Sequence, residues 1–78
     1  MKFNYTKLRQ SIYRNGLNQH KLAELLGISA TSLSLKLNNH IEFSNKDIIN
    51  IVNILNIDPA KIHLYFFDVN VHQHELYD

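Results

Sequence analysis

Residues 18–38, with the sequence NQHKLAELLGISATSLSLKLN, constrain the fold more than any other part of the chain. Leu22 and Leu26 are four residues apart, which places them on one face of an α-helix. Gly27 tolerates the positive φ that often ends a helix, and Ser29 can accept a hydrogen bond from the first amides of a second helix. The segment therefore predicts two short helices joined by a tight turn, a helix-turn-helix.

Two further positions distinguish this motif from a helical hairpin that serves only the core. Ala23 is small enough for two crossing helices to approach closely, and Ile28 can fill the corner of the turn. Many small proteins use this arrangement to place the second helix in the major groove of DNA. We therefore expect a helix presented to a partner, and keep the plain hairpin as the alternative.

The segment resembles the Cro and repressor class of phage helix-turn-helix proteins, which are lambda-repressor-like. The resemblance rests on three short motifs, Gly16-Leu17-Asn18-Gln19, Leu22-Ala23 and Gly27-Ile28-Ser29. It extends more loosely over residues 5–62, and it implies an all-α fold in the form of a compact five-helix domain. It also implies a transcriptional regulator that binds double-stranded operator DNA, with a recognition helix over about 30–38 in the major groove.

The resemblance and the polarity of the motif indicate which side chains would meet DNA. Candidates for contacts to base edges are Ala30, Thr31, Ser32, Ser34 and Leu35. Candidates for contacts to the DNA backbone are Asn18, Gln19, His20, Lys21, Ser29, Lys36 and Asn39. Short hydroxyl side chains make single hydrogen bonds to bases, and methyl groups can touch the thymine methyl.

The candidate recognition helix carries none of the side chains that read a base through two hydrogen bonds. Arg, Gln and Asn do this, and the exposed positions hold Ala, Thr, Ser and Leu instead. An alternative function follows, a protein-interaction regulator that masks the DNA-binding face of another phage regulator in the manner of an antirepressor. Thr31 and Ser34 favour DNA as the partner, whereas Leu35 joined to nearby apolar surface favours a protein.

Three more helices complete the expected domain. Helix 1 should cover 5–15, Ser44 and Asp47 form a capping box that opens helix 4 over about 44–55, and Asp58 with Pro59 opens helix 5. In helix 5, Ile62 and Tyr65 are candidate core residues. Helix 4 is apolar over most of its circumference, which predicts burial on two sides, the second side by helix 5 or by another subunit. The apolar residues are Ile48, Ile49, Ile51, Val52, Ile54 and Leu55.

The charge is unevenly distributed along the chain although the formal net charge is only +1. Before Glu24 there are five basic residues and no acidic one, and from Glu42 onward there are six acidic residues and two lysines. A basic N-terminal third attracts a polyanion such as DNA. The alternative is that these charges form an ordinary solvated helix face.

The end of the chain predicts a boundary and a self-association surface. We expect a helix-turn-helix domain over 1–68 and a C-terminal tail over 69–78 that is either frayed or a short strand. Three aromatic residues within 64–67 either pack onto the core or form a patch for a homodimer. The homodimer would place two recognition helices in successive major grooves.

Composition argues against several other classes of function. The chain has no cysteine, so it cannot have a disulfide or a zinc-thiolate site. It has no apolar run of membrane-spanning length and no apolar leader, so a cytoplasmic location and no membrane partner are expected. Its five histidines lack a convincing catalytic acidic partner, and His72 and His74 in the tail are weak candidates for a metal. We expect no enzyme activity, metal or cofactor.

Overall fold

The computed structural model describes residues 2–69, and within that range the fold is all-α. The helices are α1 Thr6–Arg14, α2 Gln19–Leu26, α3 Ala30–Leu37, α4 Asn45–Leu55 and α5 Ile62–Phe66, with a 3₁₀ turn at Pro59–Lys61 just before α5. The prediction of a five-helix all-α domain is confirmed. Within the described range, no helix is long and apolar enough to cross a membrane.

The helix-turn-helix forms as the residues of the motif predict. The Asn18 side chain accepts a hydrogen bond from the Lys21 amide at 2.8 Å, and the Ser29 hydroxyl accepts one from the Ser32 amide at 3.0 Å. These bonds satisfy amides that have no partner inside the first turns of α2 and α3. Gly27 adopts φ 71° and ends α2, so that the chain reverses into α3 at the predicted turn.

One apolar core holds the helices together. Leu8, Leu22 and Leu33 are completely buried, and the small side chain of Ala23 is 1 % exposed. Burying one leucine contributes about 1.5–3 kcal/mol through the hydrophobic effect, so the core outweighs any surface contact in this domain. The other buried residues are Tyr5, Ile12, Leu37, Ile48, Ile51, Val52, Leu55, Ile57 and Phe66.

Helix α4 is buried on one side and partly exposed on the other. The predicted capping box is present, since the Ser44 hydroxyl accepts from the Asp47 amide and the Asp47 carboxylate accepts from the Ser44 amide, both at 3.0 Å. Ile54 is half-buried against the core, whereas Ile49 is 59 % exposed. The domain therefore covers only part of the apolar circumference that we expected to be buried on two sides.

The last helix begins later than predicted and uses a different core residue. Asp58 caps the 3₁₀ turn by accepting from the Ala60 amide at 3.0 Å, and α5 begins only after it. Phe66 is the fully buried aromatic residue of α5. Ile62 and Tyr65, which we predicted in the core, pack against its edge and stay half-exposed.

The N-terminal segment crosses the chain that follows α5. Phe3 and Val69 form an isolated antiparallel bridge, and the Asn4 amide donates to the Asp68 carbonyl at 2.7 Å. Val69 is the first residue of the predicted tail. The rest of that tail, including His72 and His74, lies outside the described residues, and the proposed boundary between 68 and 69 stays a prediction.

Asn39 fastens this N-terminal segment to the end of α3. Its side chain accepts from the Phe3 amide and donates to the Phe3 carbonyl, each at 2.9 Å. Asn39 also has φ 64°, a conformation that asparagine tolerates better than most residues.

We expect Asn39→Gly to lower the free energy of unfolding by about 1–2 kcal/mol, because glycine keeps the positive φ and removes only the two hydrogen bonds. Denaturant unfolding measures this loss, and hydrogen exchange should accelerate most at the Phe3 amide. As a control, Asn38→Gly changes the neighbouring exposed asparagine, whose side chain does not contact Phe3. Unchanged exchange at the Phe3 amide in Asn39→Gly would contradict this assignment.

Candidate interaction site on the helix-turn-helix

The N-terminal turn of α2 and the outer face of α3 form an open groove of about 360 Å³. The groove is lined by Gln19, His20, Ala30, Thr31, Ser34 and Leu35. All six residues are among those predicted from the sequence to contact DNA. The structure therefore brings half of the predicted site together on one surface, with Leu35 as its largest apolar side chain.

Four of the remaining predicted residues have side chains engaged within the motif. Asn18 and Ser29 are the N-caps described above, and Ser32 receives a hydrogen bond from the Ser29 hydroxyl at 3.0 Å. Lys21 is exposed and pairs with Glu24 at 3.1 Å. Their predicted contacts to DNA stay predictions, and such contacts would have to compete with these internal partners.

Lys36 is held against α4 instead of extending into solvent. Its ammonium forms a short ion pair with the Asp47 carboxylate, and the two side chains are only 14 % and 15 % exposed. Asp47 also belongs to the capping box at the start of α4. Burial raises the pKa of Asp47, but hydrogen bonds from Lys36 and Ser44 outweigh it and hold this pKa below its ordinary value of 3.8. The Asp47 carboxylate therefore stays charged at neutral pH, and its contact with Lys36 links α3 to α4.

Other basic residues of the N-terminal third also have partners inside the domain. The Arg9 guanidinium donates to the Leu37 carbonyl at 3.1 Å and to the Asn38 side chain at 3.2 Å. This places a positive charge at the C-terminal end of α3, where the helix dipole is negative. The Lys7 ammonium lies 5.8 Å from the centre of the Tyr65 ring. Fewer cations are therefore available to a polyanion on this domain than the distribution of charge along the sequence indicates.

Apolar surface beyond the groove was not predicted from the sequence. The His40 and Ile41 amides donate to the Leu35 carbonyl at 2.9 and 3.3 Å, so the loop after α3 folds back against the end of that helix. Ile41 is 45 % exposed there. The periodicity of the sequence does not identify Ile41 as part of this surface, because Ile41 lies in a loop whose position depends on these two hydrogen bonds.

Comparison with known proteins agrees with this architecture. The chain is similar to the modulator of repression (MOR) of the temperate bacteriophage TP901-1 from Lactococcus lactis, known from its solution structure. The sequences are 32 % identical, the alignment covers 92 % of this chain and 97 % of the other, and the TM-score is 0.76. No curated protein matches the chain.

The family assignment is coarser than the resemblance drawn from the sequence. The expected all-α fold is confirmed, and the family model that matches carries a description other than Cro or repressor. That model covers residues 1–69, which include every helix described above. The chain therefore belongs to the family described as "Protein of unknown function (DUF739)".

Proposed function

We propose that this chain is a phage or prophage regulator that acts by binding another regulator protein through the groove between α2 and α3. The observation that carries the proposal is the composition of that groove, which combines Leu35 with short polar side chains and has no lysine or arginine in its lining. A surface of this kind suits a protein partner, because apolar burial with a few hydrogen bonds is the usual basis of protein–protein affinity.

The same features disfavour strong DNA binding. Affinity for DNA rises with the number of phosphates that lysine and arginine neutralise. Lys36, the predicted phosphate contact on α3, is instead committed to Asp47. Thr31 and Ser34 each offer single hydrogen bonds, which discriminate between bases less well than paired ones.

The similarity to a protein named as a modulator of repression supports the same function. In the mechanism we propose, the groove covers the DNA-binding face of a repressor and thereby prevents the repressor from occupying its operator. Partner binding and operator binding are then mutually exclusive. This chain therefore lowers the concentration of free repressor, and with it the occupancy of the operator, by mass action. The proposed action takes place in the cytoplasm and involves no catalysis or cofactor.

The test is release of a repressor from DNA. The repressor encoded by the same phage or prophage is bound to a fluorescent operator duplex, and this chain is added while anisotropy is recorded. We expect the wild type to release the repressor. Leu35→Glu should need about a 30-fold higher concentration for half-release, because a carboxylate at the centre of an apolar contact removes the binding energy of a hot-spot residue.

Leu25→Glu is the matched control, because it introduces the same charge on an exposed leucine of α2 that does not line the groove. It should release the repressor at close to the wild-type concentration, and circular dichroism should show both variants folded. If both substitutions raise the concentration for half-release equally, the added charge alone would explain the weaker release, and the role of the groove would be overturned. Failure of the wild-type chain to release the repressor would overturn the proposed function.

Direct DNA binding is the second candidate, and the exposed Thr31 beside Gln19 and His20 favours it. In this version a homodimer binds operator half-sites about 34 Å apart. Selection of duplexes from a random pool, repeated with Thr31→Ala, separates the two functions. An enriched sequence that changes in Thr31→Ala would support base reading by α3, whereas absence of enrichment at low salt would leave the protein partner as the function.

A further inference from the structure

A second pocket includes residues of the loop that follows α3, and most of its wall is aromatic. It has a volume of about 140 Å³ and includes Ile48 of α4 and the carboxylate residue Glu42. Among residues 2–69, Glu42 is the only charged residue in its lining. The aromatic residues are Phe3, Tyr5, Phe43, Phe66 and Phe67.

These rings support one another and form a preorganised wall. Tyr5 meets Phe43 edge to face at 5.3 Å between ring centres, and Phe43 meets Phe66 in the same way at 5.4 Å. Tyr5 and Phe66 are buried, which anchors the inner wall in the core. Phe3 and Phe67, at 5.9 Å, form a second edge-to-face pair, and Phe67 is 49 % exposed at the rim.

The chemistry of this lining selects a cation with an apolar stem. Aromatic faces carry negative charge density that attracts ammonium and guanidinium groups, and a carboxylate adds a full opposite charge. No lysine or arginine within the described part of the chain forms a salt bridge with Glu42. Burial raises the pKa of Tyr5 and the Glu42 carboxylate raises it further, which agrees with a negative charge at this pocket.

We propose that this pocket binds a lysine or arginine side chain of a protein partner, with the stem between the rings and the charged group at Glu42. Two backbone hydrogen bonds join the loop that carries Glu42 to Leu35 of the groove, so we assign the occupant of the pocket to the partner that binds the groove. The DNA-binding face of a repressor is rich in such cations. The identity of the partner rests on the function proposed above, whereas the preference of the pocket for a cation does not.

Two small probes with equal stems test the preference. Nα-acetyl-lysine N-methylamide and its uncharged counterpart Nα-acetyl-norleucine N-methylamide are titrated into the full chain, and NMR shifts of Phe3, Phe43 and Phe67 are followed. We expect the lysine probe to bind at least about fivefold more tightly than the norleucine probe. Equal affinity for the two probes, or no binding by the lysine probe, would overturn the proposal.

Glu42→Gln tests the carboxylate without changing the shape of the pocket. It should remove most of the lysine preference and lower the pKa of Tyr5, while burial keeps that pKa above its ordinary value of 10.0. Glu24→Gln is the matched control, since this exposed carboxylate lies outside the lining. Equal lysine preference in the two variants would overturn the role of Glu42.

A separate measurement tests whether the lysine or arginine side chain in the pocket belongs to the repressor. In the release experiment, Glu42→Gln should require about fivefold more protein for half-release. An unchanged concentration would overturn the assignment of the occupant to that partner. Failure of the probe experiment leaves the groove proposal intact, because that proposal depends on Leu35.

Discussion

Replacing Asp47 by alanine is expected to lower the free energy of unfolding by about 3 kcal/mol at neutral pH. The substitution leaves the Lys36 ammonium, which is 14 % exposed, without its counter-ion, and this accounts for about 2 kcal/mol. It also removes the acceptor for the Ser44 amide in the capping box, which accounts for about 1 kcal/mol. Urea unfolding followed by circular dichroism measures the sum.

Asp58→Ala is the control, because the Asp58 carboxylate also accepts one backbone amide at the start of a helical turn and has no ion pair among the described residues. It should cost only about 1 kcal/mol. Adding Lys36→Met to Asp47→Ala should restore part of the loss, since no unpaired charge then remains. Equal losses in Asp47→Ala and Asp58→Ala would contradict a stabilising ion pair.

The same pair predicts how stability responds to acid. The pKa of Asp47 is lower in the folded state than its ordinary value of 3.8, so its contribution is fully present above the unfolded pKa. That contribution is lost as the pH falls through the lower, folded pKa. Wild type should therefore lose more stability than Asp47→Ala below about pH 4. Parallel pH dependence of the two proteins in this range would contradict the lowered pKa.

Replacing Leu33 by alanine is expected to cost about 2–5 kcal/mol, a large fraction of the stability of a domain of this size. Leu33 is completely buried at the centre of α3, an eight-residue helix that depends on packing for its stability. Truncation loses apolar burial and opens a cavity that the neighbouring helices fill only in part. Thermal and urea unfolding measure the loss.

Leu35→Ala is the matched control on the same helix. Leu35 is half-exposed and lines the groove, so its truncation should cost well under half as much stability as Leu33→Ala. Its effect should instead appear in the repressor-release experiment, in which a folded protein binds its partner less tightly. A reversed order of stability losses would contradict the orientation of α3.

Several features of the fold could be predicted because they depend on neighbouring residues. Asn18, Ser29 and the capping box of Ser44 with Asp47 act within three residues of themselves, and all are confirmed. Gly27 ends α2 with the predicted positive φ. The buried faces of α2 and α3 follow from the helical repeat. Local hydrogen bonding and periodicity therefore suffice for the helix-turn-helix.

Other features depend on residues that only the fold brings together. Asn39 contacts Phe3 across 36 positions of the chain, and Lys36 meets Asp47 across a loop. Nothing local marks either pair. The burial of Phe66 in place of Tyr65 also depends on a distant residue, since the Phe66 ring meets the Phe43 ring edge to face.

The sequence by itself determined the helix-turn-helix and its caps, because these follow from spacings of three and four residues. The tertiary structure alone decided which charges remain available to a partner. Lys36 and Arg9 read as free cations in the sequence, yet helix packing places each beside an internal acceptor. It also collected distant aromatic residues around Glu42, since a pocket is a property of packed elements and has no local signature.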